Sequence, residues 1–382
     1  MEYDCLKGIK EVTQGIEIEG YVRGIDHLLD PIFDVNVDNY INGISLKLNG
    51  RKVFGKIHRD TGRCTEIATH PFSNLGDLMD SLREISATVL EVCNDNKWVY
   101  MLLGVTPVAG YAGGHIHVSY SSKGKNSSEV RASIRDRLRR FQPFIALLGQ
   151  NSPISMLSFP YIVKRIFDSR LEVMGSELTS KDYHGFIFDN FLVDKPNYGS
   201  VEVRLPSVAP IYQSIGSCVF LKACLQNQIK TCEMEKTQSL TNSIIQNGAT
   251  AAVNLEMNNK VKCITAGELL KLIMNNETFS NCLGEIFDEL PTKEIKLIKN
   301  FFESFFNGMS MTSYYIKALY KKPVLEACKE LHAINEEEVA GTPVYKQVSI
   351  NANVYRKKTG MPIAIQANIF DITPEQFESI YN

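Results

Sequence analysis

At 382 residues, with 44% apolar and 22% charged side chains, the chain is long enough for one large domain or two ordinary ones and needs no disulfides to hold a core. Its 41 basic and 43 acidic residues leave a formal charge of -2, which excludes a global field for nucleic acid or an anionic membrane; any polyanion site must be local. The opening MEYDCLKGIK lacks the apolar run of a signal peptide, and the longest apolar stretch, from Trp98 to Val105, is too short to span a bilayer, so a cytoplasmic protein without a membrane partner is expected.

The first 230 or so residues read as mixed strands and helices. In GIEIEGYV (15–22), Glu17 and Glu19 stand two residues apart, so on a strand they share one face while Ile16 and Ile18 take the other. Two carboxylates on one face repel, and a bound cation or a nearby arginine is the simplest compensation. The alternative is the solvent face of an amphipathic strand. RKVFGKI (51–57) also alternates, and in HRDTGRCTEIATHPF a turn at Gly62 is bracketed by Asp60 and by Glu66 of the strand 65–70.

Leu75, Leu78, Leu82, Ile85, Val89 and Val92 then recur at helical spacing. GGHIHVS follows, with His115, His117 and Ser119 on one strand face behind the backbone freedom of Gly113 and Gly114. A pair of imidazoles so placed can face a metal or a phosphate. Ile134, Leu138, Phe141, Ile145 and Leu148 mark a second helix, opened by Ser127 and Ser128 before Glu129. Its row of Arg131, Arg135 and Arg139 reads as a solvated face, with a phosphate contact as the alternative.

SVEVRLP (200–206) puts Glu202 and Arg204 on one strand face, either as a structural ion pair or as a metal ligand beside a guanidinium fork for carboxylate or phosphoryl oxygens. A buried helix is expected from Ile211 to about Ile229 and a connection over 235–262. A helical pattern follows from Thr265 to about Leu331, and then a hairpin of Val348–Tyr355 with Pro362–Phe370 turned by Lys357–Gly360. The chemistry thus falls in 1–234, and 235–382 carries none that is legible.

Nine scattered cysteines, without a Cys-x-x-Cys pair, fit reduced and mostly buried thiols. Cys64, two residues before Glu66, is the one candidate for a catalytic Cys–His pair. There is no Walker-type loop and no Gly-x-Gly-x-x-Gly fingerprint, so ATP, if used, is not held by a P-loop. Four strands each send Glu or His to one face, which favours one shared cleft over independent coincidence. Glu17, Glu19, Glu66, His115 and Glu202 suit magnesium or manganese with ATP better than a closed zinc site, leaving Arg204 to steady a phosphoryl group.

Glu-x-Glu on the first strand, Gly-Gly-His-x-His-x-Ser in the middle and Glu-Val-Arg-x-Pro before a helix together resemble, in the same order, the signature of the glutamine synthetase superfamily. Glu66-Ile67-Ala68-Thr69 with Pro71, and Gln150-Asn151-Ser152-Pro153, look more specifically like its carboxylate–amine ligase branch, which includes glutamate–cysteine ligases of the second type. The resemblance covers roughly residues 10–230. It implies an α+β fold, an antiparallel sheet flanked by helices, here with a mainly helical C-terminal region ending in the hairpin. Glu17, His115 and Glu202 would hold the metal on the transferable phosphate, and Glu19 and Glu66 the one nearer the amino acid.

By the same resemblance Glu202 and Arg204 would be catalytic, and His117, Ser119 and Arg204 would line the nucleotide. Arg170 and Asp60 would serve the substrate side. Two departures stand out: Ile18 separates acids that adjoin in many ligases of this branch, and His70 stands where they commonly have a proline. The implied reaction is ATP-dependent phosphorylation of a carboxylate, glutamate in the family, followed by attack of cysteine or another small amine. A peptide-tailoring amidoligase, a guanidino-kinase-like phosphotransferase and a non-catalytic binding protein on the same fold stay open. Expected partners are amino acid and amine substrates or a peptide, with no nucleic acid, and a homo-oligomer is in keeping with the superfamily.

Overall fold

The computed structural model describes residues 11–24, 55–59, 65–102, 113–121, 126–149, 191–206, 209–226, 240–241, 243–244, 248–257, 260–306 and 324–342. Asp60, Cys64, Arg170, the Gln150-to-Pro153 segment and the expected C-terminal hairpin lie outside them. One seven-stranded sheet dominates: β1 (Glu11–Gly24), β2 (Gly55–Arg59), β3 (Thr65–Thr69), β4 (Trp98–Met101), β5 (Gly114–Ser121), β6 (Leu192–Lys195) and β7 (Ser200–Val203). Its order is β2-β3-β1-β5-β7-β6, and every pairing is antiparallel. The last four residues of β1 pair with β4.

Alternation decides which way each strand faces. Val12, Ile16, Ile18, Ile67, Ile116, Val118, Val201 and Val203 are buried on the face that carries the helices. These are α1 (Leu75–Asp95), α2 (Ser127–Arg139), α3 (Gln142–Leu148), α4 (Ile211–Gln226), α5 (Ala266–Met274), α6 (Glu277–Phe287), α7 (Thr292–Phe306) and α8 (Val324–Val339). The apolar repeat of α1 is the one read from Leu75 onward, with Asn74 as its cap. The second expected helix is two: Arg140 and Phe141 end α2, and Pro143, which lacks an N–H, sits in the first turn of α3. Asn126, not a serine, caps α2, in a reciprocal box with Glu129.

The arginine row of α2 is only partly a solvated face. Arg131 is buried, and both Arg131 and Arg135 reach Asp194 of β6, at 3.8 and 3.2 Å. Their work is to fasten an edge strand to the helix layer.

Every side chain of α4 from Ile211 to Leu225 is buried, as an all-round apolar sequence demands, and α1, α2, α3, α6, α7 and α8 pack against it. Gln14 of β1 donates to the Cys218 carbonyl at 3.0 Å, joining sheet and helix. The one charge in this helix, Lys222, donates to the Ser73 carbonyl at 2.6 Å and to Glu289 at 2.5 Å, whose other oxygen caps the Leu75 N–H. One hydrophobic cluster runs from Val12 through α4 to Phe305 and Ile334.

The expected connection over 235–262 contains more structure than its polar composition announced. A hairpin, β8 (Ala252–Met257) with β9 (Lys260–Thr265), pairs antiparallel there, and Thr265 forms a capping box with Glu268 to start α5. Among the described residues no helix is long and apolar enough to cross a membrane.

Helix α8 closes the edge of β4 with side chains in place of a strand. The Tyr100 N–H donates to His332 Nδ1 at 3.0 Å, and Asn335 donates to the Tyr100 carbonyl at 2.9 Å. Because Nδ1 accepts, the proton sits on Nε2, which donates to Asn94 Oδ1 at 3.0 Å. Burial pushes His332 below its ordinary pKa of 6.5, against an opposing pull from Glu336. The folded state therefore binds fewer protons here than the unfolded one, and stability from this contact is lost as pH falls below 6.5. His332→Asn, which keeps an acceptor near Nδ1 and cannot titrate, is expected to flatten the decline in denaturant midpoint between neutral pH and pH ~5.

Candidate active site

The face of the sheet opposite the helices carries the polar outliers. Glu17 pairs with His115, His117 with Glu202 and Glu19 with Glu66, so three strand-to-strand register pairs place imidazoles and carboxylates side by side. His58 of β2 lies opposite Glu66, and Lys195 of β6 opposite Ser200. A site assembled from β2, β3, β1, β5, β7 and β6 follows from alternation on each strand and the register between them.

Glu17, His117 and Glu202 form the tightest group, offering one ligand atom each within 4.8 Å of one another. His117 Nε2 is 3.1 Å from Glu17 Oε1, and its Nδ1 is 3.3 Å from the Ser200 hydroxyl. His115 lies deeper, with Nδ1 3.1 Å from Glu202 and 3.4 Å from Glu17, and Nε2 3.9 Å from Glu19. Burial alone would lower its pKa, but Glu17, Glu19 and Glu202 outweigh it and raise it. Burial would likewise raise Glu17, yet hydrogen bonds from His115 and His117 hold its carboxyl well below the usual range.

Glu202 is 1% exposed and is held on both oxygens. Lys195 Nζ lies 2.6 Å from Oε2, and Arg204 Nε 2.9 Å from Oε1. Against the effect of burial, His115, Lys195 and Arg204 keep it ionised. Beside this group, Glu19 accepts the Gly113 N–H at 2.6 Å, and Glu66 meets His58 Nε2 at 2.7 Å. Gly113 is required for close packing: a Cβ there would lie 2.6 Å from His115 Nε2. The backbone thus approaches a neighbouring ring.

Gly20 is another close approach, since a Cβ on it would fall 2.2 Å from Tyr100 Cε2. Gly20→Ala is expected to cost about 1–3 kcal/mol in urea unfolding, because the Tyr100 ring is locked in the core. Ser119, expected near the nucleotide, donates its hydroxyl to the Gly199 carbonyl at 2.8 Å and fastens the β6–β7 turn. Lys195 and His58 were not anticipated. The signal for His58 was present: extending the alternation of RKVFGKI by one residue puts Lys56 and His58 on the polar face. Lys195 becomes visible only once Pro196-Asn197-Tyr198-Gly199 is read as a turn, with Gly199 at φ 64.

Two carboxylates and an imidazole, with Glu19 and Glu66 alongside, suit a hard divalent cation that retains room for water and phosphate oxygens. The donor set fits magnesium or manganese. His117 is in this group, and His115, the imidazole expected on the metal, lies beside it against the same two carboxylates.

No protein-family model matches the sequence, and no curated protein matches it. Solved structures do. The chain has the glutamine synthetase-like fold. The particular likeness is to a glutamate–cysteine ligase from Francisella tularensis solved in complex with AMP, 12% identical, with 98% of each chain covered and a TM-score of 0.50. The ligase PafA, in complex with the prokaryotic ubiquitin-like protein Pup, matches at 10% identity over 98% of this chain and 79% of that one, with a TM-score of 0.47. A glutamine synthase homolog matches at 11% identity over 85% and 71%, with a TM-score of 0.40.

Proposed function

We propose that the protein is an ATP-dependent carboxylate–amine ligase that forms an amide through an acyl phosphate, with glutamate as the acid and cysteine or another small amine as the nucleophile. The observation that carries this reading is the group of Glu17, His117 and Glu202 on three adjacent strands, flanked by Glu19 and Glu66 and bounded by Arg204. A carboxylate and a triphosphate repel each other, and this face offers what is needed to bring them together. The AMP seen in the ligase of similar fold is in keeping with a nucleotide here.

Magnesium or manganese, held by Glu17, His117 and Glu202 and on the amino-acid side by Glu19 and Glu66, would screen phosphate charge when bound. His115 lies between Glu17 and Glu202, with Nδ1 3.4 and 3.1 Å from them. Arg204, already aligned by Glu202, directs its remaining guanidinium donors at the phosphoryl group in transfer. A carboxylate oxygen attacks the γ-phosphorus, ADP leaves, and the amine then attacks the acyl carbon and expels phosphate while losing a proton. No enzyme nucleophile is needed. Asp60 and Arg170 are proposed for the amine and acid sides. Catalysis is assigned to residues 1–234, and the described helices α5 to α8 complete the core on which the sheet rests.

The test is phosphate release from ATP with magnesium, glutamate and a panel of amines that includes cysteine and short peptides. Release that depends on one amine, with the mass of the matching amide, supports the ligase. Nucleotide turnover unaffected by any amine points instead to phosphotransfer or hydrolysis.

A further inference from the structure

Both oxygens of Glu202 already have partners. Its Oε1 is shared by Arg204 at 2.9 Å and His115 at 3.1 Å, and its Oε2 is taken by Lys195 at 2.6 Å. A carboxylate this deeply buried needs such neutralisation. A divalent cation that claims one of its oxygens must then displace a positive group already there, because like charges a few ångströms apart repel strongly. We propose that Lys195 is that displaceable group: it neutralises Glu202 until the cation binds and then turns to the oxygens of the triphosphate. This inference rests on the ligase reading of the same site.

Its two competitors are held in place. The His115 ring is 3% exposed and packed against the bare Gly113 backbone, and Arg204, its side chain 27% exposed, meets Oε1 through Nε, the guanidinium nitrogen at the root of its planar fork. The Lys195 side chain is 28% exposed, holds its oxygen alone and ends a flexible four-carbon stem. The backbone beneath it stays put. Its neighbour Asp194, on the opposite face, is clamped by Arg131 and Arg135, and the turn that follows is closed by Ser119 on Gly199. Displacement is therefore a rotation of one side chain.

The destination is close. Ser200, the cross-strand partner of Lys195, holds His117 at 3.3 Å, and His117 belongs to the ligand group where the phosphates must meet the cation. Removing the ammonium thus has opposite effects on two ligands. A metal ion alone gains a vacant Glu202 oxygen, whereas a metal–triphosphate complex loses a cationic partner. A merely structural lysine would shift both affinities the same way.

The experiment measures Mn2+ binding to nucleotide-free protein by electron paramagnetic resonance, and binding of inorganic triphosphate with magnesium by calorimetry. The proteins are wild type, Lys195→Met and Lys195→Arg, with Lys195→Gln as a second neutral variant if the methionine one does not fold. The expected result is roughly tenfold tighter Mn2+ and roughly tenfold weaker triphosphate in the neutral variant, with arginine moving both less. Unchanged or weaker Mn2+ binding in the neutral variant, beside a wild type that binds Mn2+, overturns the role of Lys195 and leaves the ligase site standing. No Mn2+ binding in any of the proteins, wild type included, overturns both.

Discussion

Glu202→Gln is expected to lower amide-forming turnover at least about a hundredfold while leaving the protein folded, because it removes a ligand charge from the centre of the site. The substitution keeps the shape of the side chain but ends its role as shared acceptor for Lys195, Arg204 and His115. Its new amide N–H2 would face those same positive groups. Mn2+ binding should weaken with turnover if Glu202, with Glu17 and His117, holds the cation as proposed. Steady-state kinetics with direct Mn2+ titration checks both parts; a variant with normal metal affinity and normal turnover would remove Glu202 from the site.

The largest expected loss of stability comes from Phe301→Ala, at about 3–5 kcal/mol. Phe301 is fully buried on α7. Its ring fills the notch left by Gly216 of α4, where a Cβ would lie 2.5 Å from Cδ1, and meets Phe305 edge-on at 5.1 Å between centroids. Since α4 also holds the sheet through Gln14, a cavity there should weaken the whole core. Urea unfolding followed by far-ultraviolet circular dichroism is expected to show one transition, displaced in the mutant. Two separate transitions, only one of them displaced, would mean that the C-terminal helices fold as an independent unit.

Much of the sheet was legible because alternation is a local property. Glu17 and Glu19, His115 and His117, and Glu202 each announce a face within a few residues, and their strands do bring them to one side. What could not be read was register. Whether His115 or His117 stands nearer Glu17 and Glu202 depends on how β1, β5 and β7 slide past one another, and one residue of slip exchanges every neighbour. Both rings reach these acids: His117 Nε2 lies 3.1 Å from Glu17, and His115 Nδ1 lies 3.1 Å from Glu202 and 3.4 Å from Glu17.

Partners distant in sequence were hidden for the same reason. The buried Lys222 looks out of place in an apolar helix until Glu289 arrives from 67 residues away. Asp194 gave no hint that it would draw Arg131 and Arg135 away from solvent. The β8–β9 hairpin was concealed by polar alternation in Asn254 and Glu256, where composition spoke for a linker and backbone pairing prevailed.

The most direct test of ligation follows oxygen from the acid to phosphate. Glutamate labelled with heavy oxygen in its carboxylates is incubated with the protein, ATP, magnesium and the amine panel, and the released phosphate is examined by mass spectrometry. An acyl phosphate hands one carboxylate oxygen to phosphate for each amide formed, so the expected result is labelled phosphate in step with amide. Unlabelled phosphate accompanying amide, or phosphate released at the same rate without any amine, would contradict the ligase reading.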